Sequence, residues 1–319
     1  MKVFRAIFDT NKLGTQPASK LVALIALISI STGSADAQKR RAPRGANTHY
    51  NQGLALLANQ QIDRAIAELK AAIALKPRYA DAHNALGLAL ARKGELSLAV
   101  ESFRKAIELD PKLYKAHRNL GTALQQLGDV DGAIEAFKQS TLLKADDADT
   151  HLLLGVALQQ KQLVDESIAE LREAARLNRD MAEAHYYLGY ALAARGELRA
   201  AISEYETVVK LKPDYGEAHY YLGTARWFSG DVPGAASALR EAVKLMPGHA
   251  DSHYYLGLAI RKSGDLQGEL SDASRLAPDT TEPRHAMGQG LQEEEDLDEA
   301  IEAFRTAIKF KPDFVEAYS

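Results

Sequence analysis

Seven glycines, Gly53, Gly87, Gly121, Gly155, Gly189, Gly223 and Gly257, stand 34 residues apart without a slip. Glycine supplies about 7% of average protein sequence, so six further hits at one offset would arise by chance with odds on the order of one in ten million. A period of this size marks a chain of stacked units, each burying its apolar face only against its neighbours. In such an array the core is a ribbon, and the whole array counts as one domain.

The unit is plainest from Ala80 to Leu113. Ala82, Leu86, Gly87 and Leu90 fall at helical spacing, and Lys93-Gly94-Glu95 breaks the run. Leu96, Ala99, Phe103, Ala106 and Ile107 form a second apolar face that Asp110-Pro111 ends. Spacings of three and four predict amphipathic helices, and the glycine and proline are their stop signals. Each unit therefore reads as a hairpin of two short antiparallel helices. A side chain at the first-helix glycine would overpack the crossing, at about 1–3 kcal/mol. Small residues recur on the second helix at Ala65, Ala99, Ala133, Ala201 and Ala235. Larger plugs stand between them at Leu69, Phe103, Phe137, Leu171, Tyr205 and Leu239.

A 34-residue helix-turn-helix unit with Leu-Gly early, Ala-x3-Phe later and a closing proline resembles the tetratricopeptide repeat. Leu86-Gly87, Ala99, Phe103, Ala106 and Pro111 fall on that pattern, as do Leu222-Gly223, Ala235, Ala242 and Pro247. The resemblance spans residues 46–314, in about eight units starting near 46, 80, 114, 148, 182, 216, 250 and 281. It implies an all-α, right-handed α-solenoid superhelix. Three departures stand out. Histidine replaces the family's early tryptophan, at His49, His83, His117, His151, His185, His219 and His253. Ala145 and Arg179 stand where the closing proline is expected. The seventh unit is three residues short near Gln267-Gly268, which predicts a shortened second helix and an irregular seam before unit eight.

The formal charge of −4 and pI near 6.2 argue against nucleic acid as a main partner. At the amino terminus, Lys2, Arg5, Lys12 and Lys20 precede the apolar run Leu21–Ile30, and Ala35-Asp36-Ala37 follows. A basic segment, a short apolar run and Ala-x-Ala describe a signal peptide over 1–37, cleaved after Ala37. The apolar run is too short to span a bilayer. Residues 38–45 form a basic linker. With no cysteine and no Asn-x-Ser/Thr acceptor, the expectation is a bacterial periplasmic or secreted protein. The alternative is a leader left uncleaved as an inner-membrane anchor. Membrane contact is expected only through that leader or the linker. Residues 315–319 are a truncated start of a further repeat, too short to cover the helix around Ile301, Phe304 and Ile308. That end favours self-association.

The histidines do not read as a metal site. Packed helices lie about 8–10 Å apart whereas ligand bonds are near 2 Å, so equivalent residues of successive units cannot share an ion unaided. Each is expected to fill space and bond locally. The resemblance places ligands along the first helices, in a concave groove. Carried over by position, it assigns Lys115, Arg118, Asn119, Gln125, Gln126, Gln159 and Gln160 in units three and four, a stretch suited to peptide backbone. In units five to seven it assigns Tyr186, Tyr190, Tyr220, Trp227, Phe228, Tyr254 and Arg261, beside Tyr187, Tyr221, Tyr255 and Lys262. Adjacent tyrosines point about 100° apart, so one ring of each pair faces the groove while the other packs between units. The competing reading makes both rings interhelical filling. Glu293-Glu294-Glu295-Asp296 reads as a solvated turn.

No phosphate-cradling loop, nucleophile elbow or zinc-protease helix occurs in the sequence, so an enzyme reading has no residues to rest on and no cofactor is expected. The expected function is a non-enzymatic scaffold binding an extended peptide or partner helix in its groove, in cell-envelope assembly or secretion. The alternative is a structural scaffold that polymerises through uncapped repeat ends.

Overall fold

The computed structural model describes the backbone of residues 45–276, with side chains as far as Gly264, and isolated helical positions at 301–303, 305–306 and 309. The leader, all of the linker but Gly45, the Glu293–Asp296 run and residues 315–319 lie outside the described residues. The chain divides into two compact units at Ala184/His185, inside the first turn of one helix.

The first body holds four hairpins. Helix α1 (Ala46–Ala58) pairs with α2 (Ile62–Leu75), α3 (Ala80–Lys93) with α4 (Leu96–Leu109), α5 (Tyr114–Gln126) with α6 (Val130–Leu143), and α7 (Ala148–Gln160) with α8 (Val164–Leu177). Within this body α2 also packs on α3, α4 on α5 and α6 on α7, and α1, α3 and α5 each touch the following first helix. The second body continues from α9 (Ala182–Arg195) through α10 (Leu198–Leu211), α11 (Gly216–Ser229) and α12 (Val232–Leu245) to α13 (Ala250–Leu276). Here α11 pairs with α12, and α13 packs on both.

Six hairpin turns share one backbone device. Gly94, Gly128, Gly196 and Gly230 adopt φ between 86° and 92°, the left-handed region open to a residue without a Cβ. Gln60 and Gln162 hold the same place at 57° and 60°, where a side chain costs roughly 1–2 kcal/mol. Asp129 and Asp231 then cap the next helix, each accepting from the backbone N–H three residues on at 3.0 Å. Gly264 is the seventh residue in this register, yet α13 runs through it as one 27-residue helix. The two-helix seventh unit expected from the sequence is thus not broken there. Continuing a helix adds a hydrogen bond with each residue fixed, whereas turning back needs a second helix long enough to pack, and this unit is the one with the three-residue deletion.

The missing prolines change nothing in the register. Helices α6 and α8 end at Leu143 and Leu177, equivalent to Leu75, Leu109, Leu211 and Leu245. At the Arg179 junction the Asn178 side chain accepts from the Asp180 N–H at 3.2 Å, as Asp110 accepts from Lys112 at 3.0 Å. The same side-chain bond thus closes this turn with proline, at Pro111, and without it, at Arg179.

The hairpin cores follow the predicted plug pattern. Ala65, Ala99, Ala133, Ala201 and Ala235 are fully buried. In unit four the alanine is replaced by buried Ser167, whose hydroxyl donates to the Gly155 carbonyl at 2.8 Å. A methyl built on Gly53, Gly121, Gly155 or Gly223 would stand 2.5–2.6 Å from Leu69, Phe137, Leu171 or Leu239 respectively. The glycine therefore admits the plug side chain of the facing helix, rather than an approach of bare backbones. No helix among the described residues is long and apolar enough to cross a membrane.

Candidate peptide-binding face

The first helices carry the expected groove residues, but the structure sorts these into two groups. In the first body Lys115 is exposed on α5 and Gln125 is half-buried. Gln125 Nε2 donates to Gln160 Oε1 at 2.9 Å, joining the same edge of α5 and α7. Gln159, the next residue in from Gln160, is 1% exposed. Arg118 and Asn119 depart from the groove expectation. Arg118 is buried and donates to Asp147 at 3.1 Å and to Asp149 at 3.5 Å. Burial raises the pKa of Asp149, with the Arg118 charge opposing it. Asn119 is buried and donates to Asn84 Oδ1 at 2.9 Å. Arg118 spends its polarity on the residue that closes its own unit and on the start of the next, and Asn119 on the preceding unit.

In the second body Tyr186 and Tyr190 are each 1% exposed and Tyr220 is buried. They pack as filling, which corrects the groove expectation for these three. Tyr186 stacks on Tyr215 at 5.1 Å between ring centroids and meets Tyr187, Tyr205 and Tyr221 edge-on. Its hydroxyl donates to Glu217 Oε2 at 3.1 Å. Tyr190 lies edge-on to Tyr221 at 5.5 Å, and Tyr221 stacks on the plug Tyr205 at 5.9 Å. In the Tyr220–Tyr221 pair one ring meets His249, which closes the unit, and the other stacks on Tyr205, the plug of the preceding unit. Burial pushes the Tyr186, Tyr205 and Tyr220 phenols well above their ordinary pKa, so they stay neutral. Trp227, Phe228 and Tyr254 are half-buried against the apolar cluster of α11–α13, and Arg261 and Lys262 are exposed on α13. These five remain turned partly or wholly outward.

One contact recurs that the sequence reading missed. The fifth residue of a first helix meets the residue 29 positions on, which closes the same unit. Tyr50 meets Tyr79 at 5.0 Å, Tyr186 meets Tyr215 at 5.1 Å, and Tyr220 meets His249 at 4.8 Å. Arg118 and Asp147 fill the same slot with an ion pair. Burial pushes the Tyr50 phenol up to about 12, with the Asp81 charge adding to the effect. The signal was present as a fixed spacing, but its chemistry changes from unit to unit, so a search for one residue type does not find it.

The histidines bond locally, as expected. Nδ1 of His49, His151 and His185 lies 2.6 Å from the carboxylates of Glu68, Glu170 and Glu204 on the paired second helix. Nε2 of His83, His117, His151, His219 and His253 reaches the carbonyl six residues back, at 2.9–3.0 Å. His151 makes both bonds, and both of its partners are acceptors.

Comparison with known proteins places this architecture. The sequence profile described as tetratricopeptide repeat matches residues 50–114, 118–178 and 220–283, more than half of the chain. A second repeat profile matches 189–227, and a third matches 282–314. No curated protein matches. Among solved structures, PilF of Pseudomonas aeruginosa superposes with a TM-score of 0.59 at 21% identity, over 65% of this chain and 94% of that one. YrrB, described as a repeat protein with an unusual peptide-binding site, gives 0.54 at 23%, over 58% of this chain and 95% of that one. A MamA structure gives 0.50 at 26%, over 52% and 91%. At these identities the PilF and YrrB likenesses speak to the fold.

Proposed function

This chain belongs to the tetratricopeptide repeat family, and we propose that it captures an extended peptide or a partner helix on the face formed by its first helices. Proteins of this family serve as interaction scaffolds, and the repeat profiles account for the described helices without a catalytic family among them. The observation that carries the reading is what stays outward after packing is satisfied. The first body leaves Lys115 and the Gln125–Gln160 edge, and the second leaves Trp227, Phe228, Tyr254 and Arg261. Each set by itself suits a binding surface: the amides and lysine of the first offer hydrogen bonds, and the rings of the second bury large area at small entropic loss.

The site of action we propose is the bacterial cell envelope, in assembly or secretion. The support is sequence alone: the basic segment, Leu21–Ile30 and Ala35-Asp36-Ala37 in order, with no cysteine in the chain.

The experiment is a pull-down from native envelope extract with the full chain, beside a Lys115→Glu and a Trp227→Ala variant of unchanged helicity. A partner held by the wild type and released by either variant supports the reading. Equal capture by all three moves binding off this face, and large homo-oligomers with no partner favour the polymerising scaffold. Mass spectrometry of the mature protein tests export: a first residue at Gln38 is expected, and an intact leader sinks the cleavage assignment.

A further inference from the structure

We propose that α13 is the open form of a two-state element hinged at Gly264, whose closed form turns residues 266–276 back as the second helix of the seventh unit. The two forms coexist in solution. This inference stands independently of the binding-face reading.

The stretch Gly264-Asp265-Leu266-Gln267-Gly268 carries glycine, aspartate and glycine at the same places as Gly128-Asp129-Val130-Asp131-Gly132 and Gly230-Asp231-Val232-Pro233-Gly234. In those two units each of the three residues is used. Gly128 and Gly230 turn the chain with φ of 86° and 88°. Asp129 and Asp231 cap the helix that follows, accepting from the N–H of Gly132 and Gly234 at 3.0 Å. A methyl on Gly132 or Gly234 would collide with that capping carboxylate, so the second glycine belongs to the cap.

The straight α13 has no turn for Gly264 to make and no helix start for Asp265 to cap. A methyl built on Gly264 meets nothing within 4 Å, so close packing does not call for glycine there either. Each glycine inside a helix disfavours it about fivefold against alanine. Arg261 and Lys262 add a further signal. In the closed form they fall in the last turn of a first helix, where cations are favoured, as Arg92 and Lys93 do in α3. Opposing this is the three-residue deletion. Leu266–Leu276 counts 11 residues where α12 has 14, so the returning helix is shorter by almost a turn and has less face to bury. An intact turn and a shortened partner helix pull in opposite directions, which is what poises the element.

The test measures the angle of the hinge as a distance. The chain has no cysteine, so spin labels at Ala250→Cys and Ser274→Cys in the full chain report one pair by pulsed electron paramagnetic resonance. A straight helix separates positions 24 residues apart by about 36 Å. A closed hairpin, with its helices about 8–10 Å apart, brings them below about 20 Å. Both distances are expected in the labelled parent. Gly264→Ala should lose the short one, since alanine favours the helix about fivefold and resists the left-handed turn by a further five- to thirtyfold. Gln267→Pro should lose the long one. It copies Pro233 in the first turn of α12, whereas a proline inside a helix disfavours it more than a hundredfold. A single distance in the parent, of either length, overturns the proposal. So does a short distance that survives Gly264→Ala, or a long one that survives Gln267→Pro.

Discussion

The ring of Phe103 lies directly over the Cα of Gly87. A methyl built on Gly87 would stand 2.5 Å from Phe103 Cε1 and 2.7 Å from Cδ1. Phe103 is buried, so its ring has no free space to swing into. Gly87→Ala is expected to destabilise the array by about 1–3 kcal/mol. At Gly189 the equivalent approach to Tyr205 is 3.0 Å, and alanine there should be milder. Leucine at Gly189 should still lower stability by at least about 1 kcal/mol, while Glu197→Gln, at an exposed site, should do almost nothing. Denaturant midpoints check the ranking, and equal effects at Gly189 and Glu197 would sink the stacking argument.

Tyr205 is the plug of the fifth unit where Phe103 and Phe137 serve in the second and third, and its buried hydroxyl has no hydrogen-bond partner. Tyr205→Phe removes an unbonded polar group without changing the shape of the ring. It should raise stability by about 1 kcal/mol. A melting scan that shows a loss instead would mean that the hydroxyl is bonded in solution.

Arg118 holds Asp147 and Asp149 at the junction of the third and fourth units. Removing one partner of a buried pair leaves the other charge stranded, so Arg118→Leu should cost about 3 kcal/mol. Adding Asp147→Asn should recover part of that loss. Additive losses in the double-mutant cycle would show that the two residues do not interact.

His151 is raised in pKa. Burial opposes the charged form, but the hydrogen bonds to Glu170 and to the Ala145 carbonyl, with the Glu170 and Glu173 charges, outweigh it. Two acceptors on one ring require both nitrogens to donate, which only the protonated form does. A folded-state pKa above the unfolded one gives stability that is complete below about 6.5, the unfolded value, and fades as the pH rises through the higher folded value. The wild type should therefore lose more stability than His151→Gln between mildly acid and mildly alkaline buffer. Identical pH profiles would contradict the assignment.

Much of this was legible in the chain. The Gly-to-plug spacing of 16 residues, from Gly87 to Phe103 or Gly155 to Leu171, announced both helices and their crossing, because burial forces the same residue types to recur in register. The outward residues were harder. Tyr186, Tyr190 and Tyr220 occupy groove positions of the family yet point inward, because Tyr215, Tyr221 and His249 supply rings to pack against. Arg118 reads as a ligand contact until Asp147 is seen 29 residues away. Side chains at these positions are decided by a partner about 30 residues on, in the same unit or the next, and a residue-by-residue transfer of positions does not see that partner. The turn at Gly264 failed for a related reason: the local signal was intact, but the helix beyond it had been shortened.

The central claim is that a partner lies on the first helices and not on the second. A photo-crosslinking amino acid placed in turn at Lys115 on α5, at Trp227 on α11 and at Leu142 on α6, which is 77% exposed, separates the two faces in living cells. The account predicts a discrete adduct from position 115 or 227 and none from 142. An adduct from 142, with neither first-helix position reacting, would contradict it.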